Sequence, residues 1–421
     1  MTTQPKLRGP RSRAALGVIS AFAVIALAGC TGGGTVAGAS AKPDATEATG
    51  ATGECGSVPD LGANDPDGVL EEFPDLAAYY NGFPYEVKPS PWADWSPDHS
   101  GPYTAGIVMN PLSNPFQTNL HDGLVSALDE AGIEIVADLA PPTQQDVPVQ
   151  LQQFQQVLAQ KPDIIFFGPI AADAAVELVD AAGEAGIPVV SMHNATDSEY
   201  AVSVGMNNVL IAMDLGASAL DAIGGEGTVL QVHGVPGIAQ DNDATAGFEA
   251  VMELCPDVQE VAEVSGFYQN SVAQQAVIQF LATTPAGVDA VFQSGVMGLG
   301  ILQAFEQSGR EPAVITDGGS SNGTVAYAKE NPDYPFFGNN TPGFHMGETF
   351  GEVGRRILAG QGPKINQFVV MPQLITQENI DEVYEDGMSL TDPSDAVGDA
   401  DVYFPKEHLD ELFNNPENEL Q

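Results

Sequence analysis

From Thr104 onward the chain alternates two patterns: short, largely apolar runs, some apolar throughout, and longer stretches whose apolar residues recur at helical spacing. The runs at 105–109, 133–136, 164–167, 187–190, 228–232, 258–264, 288–292 and 313–316 read as strands. The stretch at 116–131, with Leu120, Leu124 and Leu128 on one face, reads as the first of the intervening helices. A strand that is apolar throughout is buried on both faces, so the pattern predicts parallel sheets covered by helices. Pro162, Pro188 and Pro312, each at or just before a strand, mark the helix-to-strand turns. One sheet of ten or more strands is improbable. The length fits an α/β chain of two doubly wound parallel-sheet lobes, about six strands each.

Open parallel sheets bind ligands beyond the carboxyl ends of their strands, which directs attention to particular loops. In the first half these are 110–116, Gly168-Pro169 and 191–194; in the second they are 233–243, 267–270, 293–295 and 317–319. They are rich in amides, hydroxyls and aromatics and hold no Lys or Arg. An anionic ligand would therefore rely on helix N-termini alone, whereas a neutral polyhydroxylated one suits such a lining.

Charge changes the picture of the chain's head. Against 57 Asp+Glu there are 13 Lys+Arg, for a net charge of -44, a balance that excludes a nucleic-acid partner. Lys6, Arg8, Arg11 and Arg13 sit together in an acid-free start, followed by an apolar stretch at 14–26 and then Leu27-Ala28-Gly29-Cys30. This order resembles a bacterial lipoprotein signal: residues 1–29 would be removed and Cys30 lipidated, anchoring the chain to the outer face of the cell membrane. No other apolar run is long enough to span a bilayer. Residues 30–53, rich in Gly, Ala and Thr, read as a flexible tether. Residues 54–102 read as an extension with one helical patch around Leu70 to Tyr80, whose Trp92 and Trp95 pack it onto the body. Cys55 and Cys255, the two cysteines left after lipidation, either form a disulfide between extension and body or remain buried thiols.

Asn110 to Phe116 after an apolar strand, Gly186-Ile-Pro-Val-Val190 and Thr316-Asp317-Gly318 resemble the periplasmic sugar-binding family of ribose-binding type, and the similarity runs from 103 to 376. The resemblance implies a type I periplasmic binding protein: two lobes joined by a three-crossing hinge, closing on one small polar ligand and presented to an ABC permease and its ATPase. The lobes would be 103–205 plus 342–368 and 206–341 plus 369–376, with crossings near 205–207 and 340–341. Carried over by position, Asn114 and Phe116 bond and stack on the ligand, Tyr268 covers its other face, Asp317 accepts from adjacent hydroxyls, and Asn340 supplies an amide. Asn110 joins them from the same loop. Departures from ribose binders fall at His193-Asn194, Asn242, Gln117 and Ser294-Gly295, which argues for a polyol or sugar other than ribose.

Each of these residues also has an ordinary structural reading: Asp317 as a cap or turn residue, Phe116 as helix core, Asn110 and Asn114 as turn residues, His193 as a loop histidine. Gly319-Ser320-Ser321-Asn322-Gly323 matches the G-x-S-x-G form of a hydrolase elbow, yet its serine does not directly leave a strand and only His345 and His408 lie downstream. No Lys is followed by Ser or Thr, which excludes a P-loop, and neither the histidines nor Asp241-Asn242-Asp243 has metal-ligand spacing. No cofactor, metal or catalytic role is expected. A sensing receptor subunit remains the alternative to transport. The acidic tail, 377–421, ends in an amphipathic patch at Leu409, Leu412 and Phe413 that reads either as a helix on one lobe or as disordered.

Overall fold

The computed structural model describes residues 53–293, 295–397 and 404–421. The signal at 1–29, Cys30, nearly all of the tether and Ser294 lie outside the described residues. Two six-stranded sheets form the body. The first sheet has the order β11-β5-β4-β3-β1-β2 and is parallel throughout. It comprises β1 (Thr104–Val108), β2 (Glu134–Leu139), β3 (Ile164–Phe167), β4 (Val189–His193), β5 (Ala201–Met206) and β11 (Gln367–Val370). The second has the order β12-β10-β9-β8-β6-β7. It holds β6 (Glu226–His233), β7 (Asp257–Ser265), β8 (Ala290–Phe292), β9 (Val314–Asp317) and β10 (Phe337–Asn339), all parallel, closed by antiparallel β12 (Leu374–Thr376).

Burial explains why these segments are strands. Every residue of Ile164–Phe167 is fully buried, because helices cover both faces of the sheet. The covering helices of the first lobe are α1 (Pro115–Glu130), α2 (Val147–Leu158), α3 (Ala172–Glu184) and α9 (Gly343–Leu358). Those of the second are α4 (Asn208–Ala222), α5 (Ala239–Met252), α6 (Asn270–Thr283), α7 (Gly298–Gln307) and α8 (Asn322–Glu330). Helices α1 and α9 meet backbone to backbone: a Cβ on Gly123 would lie 1.9 Å from the Phe344 carbonyl oxygen and one on Gly347 2.0 Å from that of Leu120. In each sheet the strand order reverses beside the first strand of its lobe, β1 or β6, so both switch points open on one cleft.

The chain passes between lobes at Asn207, at Asn340–Pro342 and between Val370 and Leu374. The third passage corrects the sequence boundary at 368/369, because Val369 and Val370 still pair with Gly205 and Met206 in β11. At the first passage Asn207 caps α4, its Oδ1 accepting from the Leu210 N–H at 3.1 Å. Its Nδ2 donates to the carbonyls of Tyr79 and Asn81 in the N-terminal extension.

That extension is built into the body. Two short 3-10 turns, Val69–Glu72 and Ala77–Tyr80, replace the expected helical patch, with Pro74 between them. Leu70, Phe73, Leu76, Tyr80, Phe83, Val87 and Trp92 join the core of the first lobe, and the Trp92 Nε1 donates to the Tyr200 carbonyl at 2.8 Å. At its other end Cys55 is disulfide-bonded to Cys255 of the second lobe, 200 residues away. The C-terminal segment also touches both lobes. Ile380, Val383 and Ala396 pack with Val325 and Phe336 of the second. Helix α10 (Lys406–Glu411) with Leu412 and Phe413 packs on the first, where Phe413 meets Phe368 edge to face at 5.5 Å.

Candidate ligand-binding site

The cleft leaves about 50 Å³ of free space for the centres of water-sized groups and is lined from both lobes. Its first-lobe wall begins at the N-terminus of α1. Asn114 is the N-cap, its Oδ1 accepting from the Gln117 N–H at 2.9 Å, and Pro115 opens the helix. This cap aims Phe116 and Gln117, both buried, into the cleft. Asn110, just beyond β1, and His193 and Asn194, at the end of β4, complete this side. Asn194 Nδ2 donates to the Pro169 carbonyl at 2.9 Å, and the Ser191 hydroxyl donates to the carbonyl of Asn194 at 2.9 Å. His193 has a left-handed backbone, φ 66°, with its ring 5.4 Å from that of Phe116. Burial pushes its imidazole down to about 4, so it is neutral at physiological pH.

Tyr268 forms the facing wall. Phe267 and Tyr268 both have positive φ, 55° and 54°, a rare pair for bulky residues. The ring lies in a slot between two glycines: a Cβ on Gly234 would be 1.9 Å from it and one on Gly295 2.6 Å. The loop that leads into α5 is fixed by Asp241, whose Oδ1 accepts from the Gly234 N–H at 2.6 Å while Oδ2 meets His233 Nδ1 at 3.0 Å. Gln293 fixes the β8 loop, its Nε2 donating to the Thr316 carbonyl and its Oε1 accepting from the Gly295 N–H, both at 2.8 Å.

No charged side chain lines this cavity among the described residues. Eight buried side-chain polar atoms lack a hydrogen-bond partner within the described protein. Five belong to cleft-end residues: His193 Nδ1, Tyr268 Oη, Asp317 Oδ2, Asn339 Nδ2 and Asn340 Oδ1. Buried polar atoms are normally paired, and of these five those of His193 and Tyr268 belong to cavity-lining residues, where a polar ligand would satisfy them.

Residues 105–362 match the family described as the periplasmic binding protein domain. The chain belongs to that family. It is 26% identical over 234 residues to the ribose import binding protein RbsB of Bacillus subtilis, covering 54% of this chain and 74% of that protein. It is 25% identical over 284 residues to the xylitol-binding protein of Mycolicibacterium smegmatis, covering 66% and 79%. Among solved structures, an ABC transporter solute binding protein from Mycobacterium smegmatis with bound glycerol superposes with a TM-score of 0.61 at 20% identity, covering 69% of this chain and 99% of that one.

In this periplasmic binding protein Asn110, Asn114, Phe116, Gln117, His193, Asn194 and Tyr268 come together on the cavity wall. Asn242 does not. It is exposed on α5, and Gln240 faces the cavity instead, because the helix begins at Ala239 and turns 242 away. Asp317 and Asn340 also stop short of the wall, where Gly318, Gly319 and Thr341 stand. The Asp317 carboxyl lies beneath, 3.3 Å from Gln293 Nε2, and burial pushes it up to about 6. Sequence reasoning missed Gln144, Met206, Asn208, Ile211, Ile238, Gln240 and Val296. Their one signal was position, in loops and helix starts that follow strands.

Proposed function

We propose that this chain is an extracytoplasmic solute-binding lipoprotein that captures a neutral sugar or polyol between its lobes and delivers it to an ABC permease. The observation that carries the reading is a cleft lined by amides and aromatics with no charged wall residue, where two buried wall atoms, His193 Nδ1 and Tyr268 Oη, lack a partner. Amides suit vicinal hydroxyls, while Phe116 and Tyr268 offer aromatic faces to the C–H surface of a ring or chain. The names of the relatives, which bind ribose and xylitol, and the glycerol in the solved structure agree in ligand class. Lobe closure would bury these contacts and create the shape a permease reads. The reading is of capture without chemistry: the Ser321 hydroxyl, the candidate nucleophile, is engaged with Thr324 in the cap of α8.

Lipid attachment at Cys30 would hold this body at the outer membrane face. Thermal-shift screening of the mature protein against pentoses, hexoses, polyols and nucleosides tests the ligand class, and no stabilisation by any neutral polyhydroxylated compound overturns it. Mass analysis of the cell-associated protein tests the anchor: an unmodified Cys30, or a retained signal, overturns that part.

A further inference from the structure

Behind His193 and Asn194 the cleft continues into an annex. It shares His193, Asn194, Met206 and Asn208 with the main cavity, and its far wall is made by Phe83 and Tyr85 of the N-terminal extension, Asp243 of α5 and Gln367 of β11. The free space for the centre of a water-sized group is about 10 Å³, enough for one non-hydrogen group. Phe83 and Tyr85 lie outside the stretch that matches the family, so this compartment is a product of the extension.

The annex offers acceptors. Asp243 is half-buried, and the only side-chain hydrogen bond to it among the described residues comes from the Tyr85 hydroxyl at 3.3 Å. Gln367 is 1% exposed and its Oε1 has no partner; His193 Nδ1, on the shared wall, has none either. No Lys or Arg lines the annex. Burial, with the charge of Asp173 nearby, pushes the Asp243 carboxyl up to about 7. A buried carboxylate with no cation is costly to keep ionised, and a ligand cation would relieve that cost.

We infer that the annex receives an amino substituent, so that the cleft selects a polyol or sugar carrying one amine whose ammonium donates to Asp243 and Gln367. The inference rests on the polyol reading of the main cavity and adds one positive group to it. A hydroxyl fits the same space but leaves the carboxylate uncompensated.

The test is isothermal calorimetry of the mature protein with matched pairs: myo-inositol, D-glucose and D-galactose, each beside the analogue in which one hydroxyl is replaced by an amine. At least one amine should bind about tenfold more tightly than its neutral partner. In D243N that preference should fall to about twofold or less. Neutral compounds that bind as well as every amine analogue overturn the annex assignment, leaving it a site for water, as does a preference that persists in D243N. If D243N does not fold, the comparison on the unmodified protein still decides. Binding by no member of either series overturns the annex assignment, and the polyol reading itself falls only if the wider thermal-shift panel also gives no stabilisation.

Discussion

Asn119 on α1 of the first lobe donates from Nδ2 to the Asp395 carboxylate at 3.0 Å, although Asp395 belongs to a segment docked on the second lobe. That docking is firm: the Ala396 N–H donates to the Ser320 carbonyl at 2.9 Å and the Asn322 N–H to the Ser394 carbonyl at 2.8 Å. The C-terminal segment thus ties the lobes beside the cleft. D395A should favour the open form and weaken ligand binding about fivefold, the worth of roughly 1 kcal/mol. Small-angle scattering with and without ligand checks it; unchanged affinity and an unchanged apo envelope remove the segment from the closure equilibrium.

The Tyr268 hydroxyl gives a prediction with two opposite signs. It is buried without a partner, which costs the empty protein about 1–3 kcal/mol. Y268F should therefore raise the apo melting temperature while lowering affinity several-fold if the hydroxyl bonds the ligand. Thermal unfolding and calorimetry on the same variant read both. Affinity equal to that of the unmodified protein withdraws the hydroxyl from the site.

Legibility followed local determinism. Ile164–Phe167 could be read as a strand because each residue is apolar, and each is apolar because helices bury both faces. β5 escaped because no helix separates it from β4, and β10 and β12 because three residues interrupted by Gly338 and Asn339 or ending in Thr376 make no apolar run, unlike Ala290–Phe292 of β8. The loops of the site were legible by rule, but which residue of a loop reaches the ligand was not. On α5 the deciding fact is where the helix begins: from Ala239, positions 240 and 243 share one face and 242 points away. At β9 the strand continues through Asp317, which leaves its glycines to meet the cavity. The annex was invisible because Tyr85, Asp243 and Gln367 are distant in sequence and meet only in the fold.

The disulfide closes a loop of 200 residues and pins the extension to the second lobe, while Trp92 and Tyr80 fix its other part to the first. Replacing Cys55 and Cys255 with serine should cost about 2–5 kcal/mol in unfolding free energy. It should also loosen Phe83 and Tyr85, so any selectivity owed to the annex should shrink. Denaturant titration checks the first effect. A loss below about 1 kcal/mol would mean that packing alone holds the extension.

Asp317 and His193 should tilt the pH dependence of stability in opposite directions. Burial raises the folded carboxyl of Asp317 from 3.8 to about 6, so the unfolded chain releases its proton first and stability falls as pH rises through that window. For His193 burial lowers the folded value from 6.5 to about 4, so the unfolded chain takes up the proton first and stability falls as pH drops from about 6.5 towards 4. D317N should therefore stabilise the empty protein at pH 7.5 by roughly 1–3 kcal/mol, with the gain shrinking towards pH 4. H193Q should do nothing above pH 7 and should stabilise progressively below pH 6. Melting curves from pH 4 to 8 separate the two, and parallel shifts of both variants at every pH would mean that neither group titrates as its burial requires.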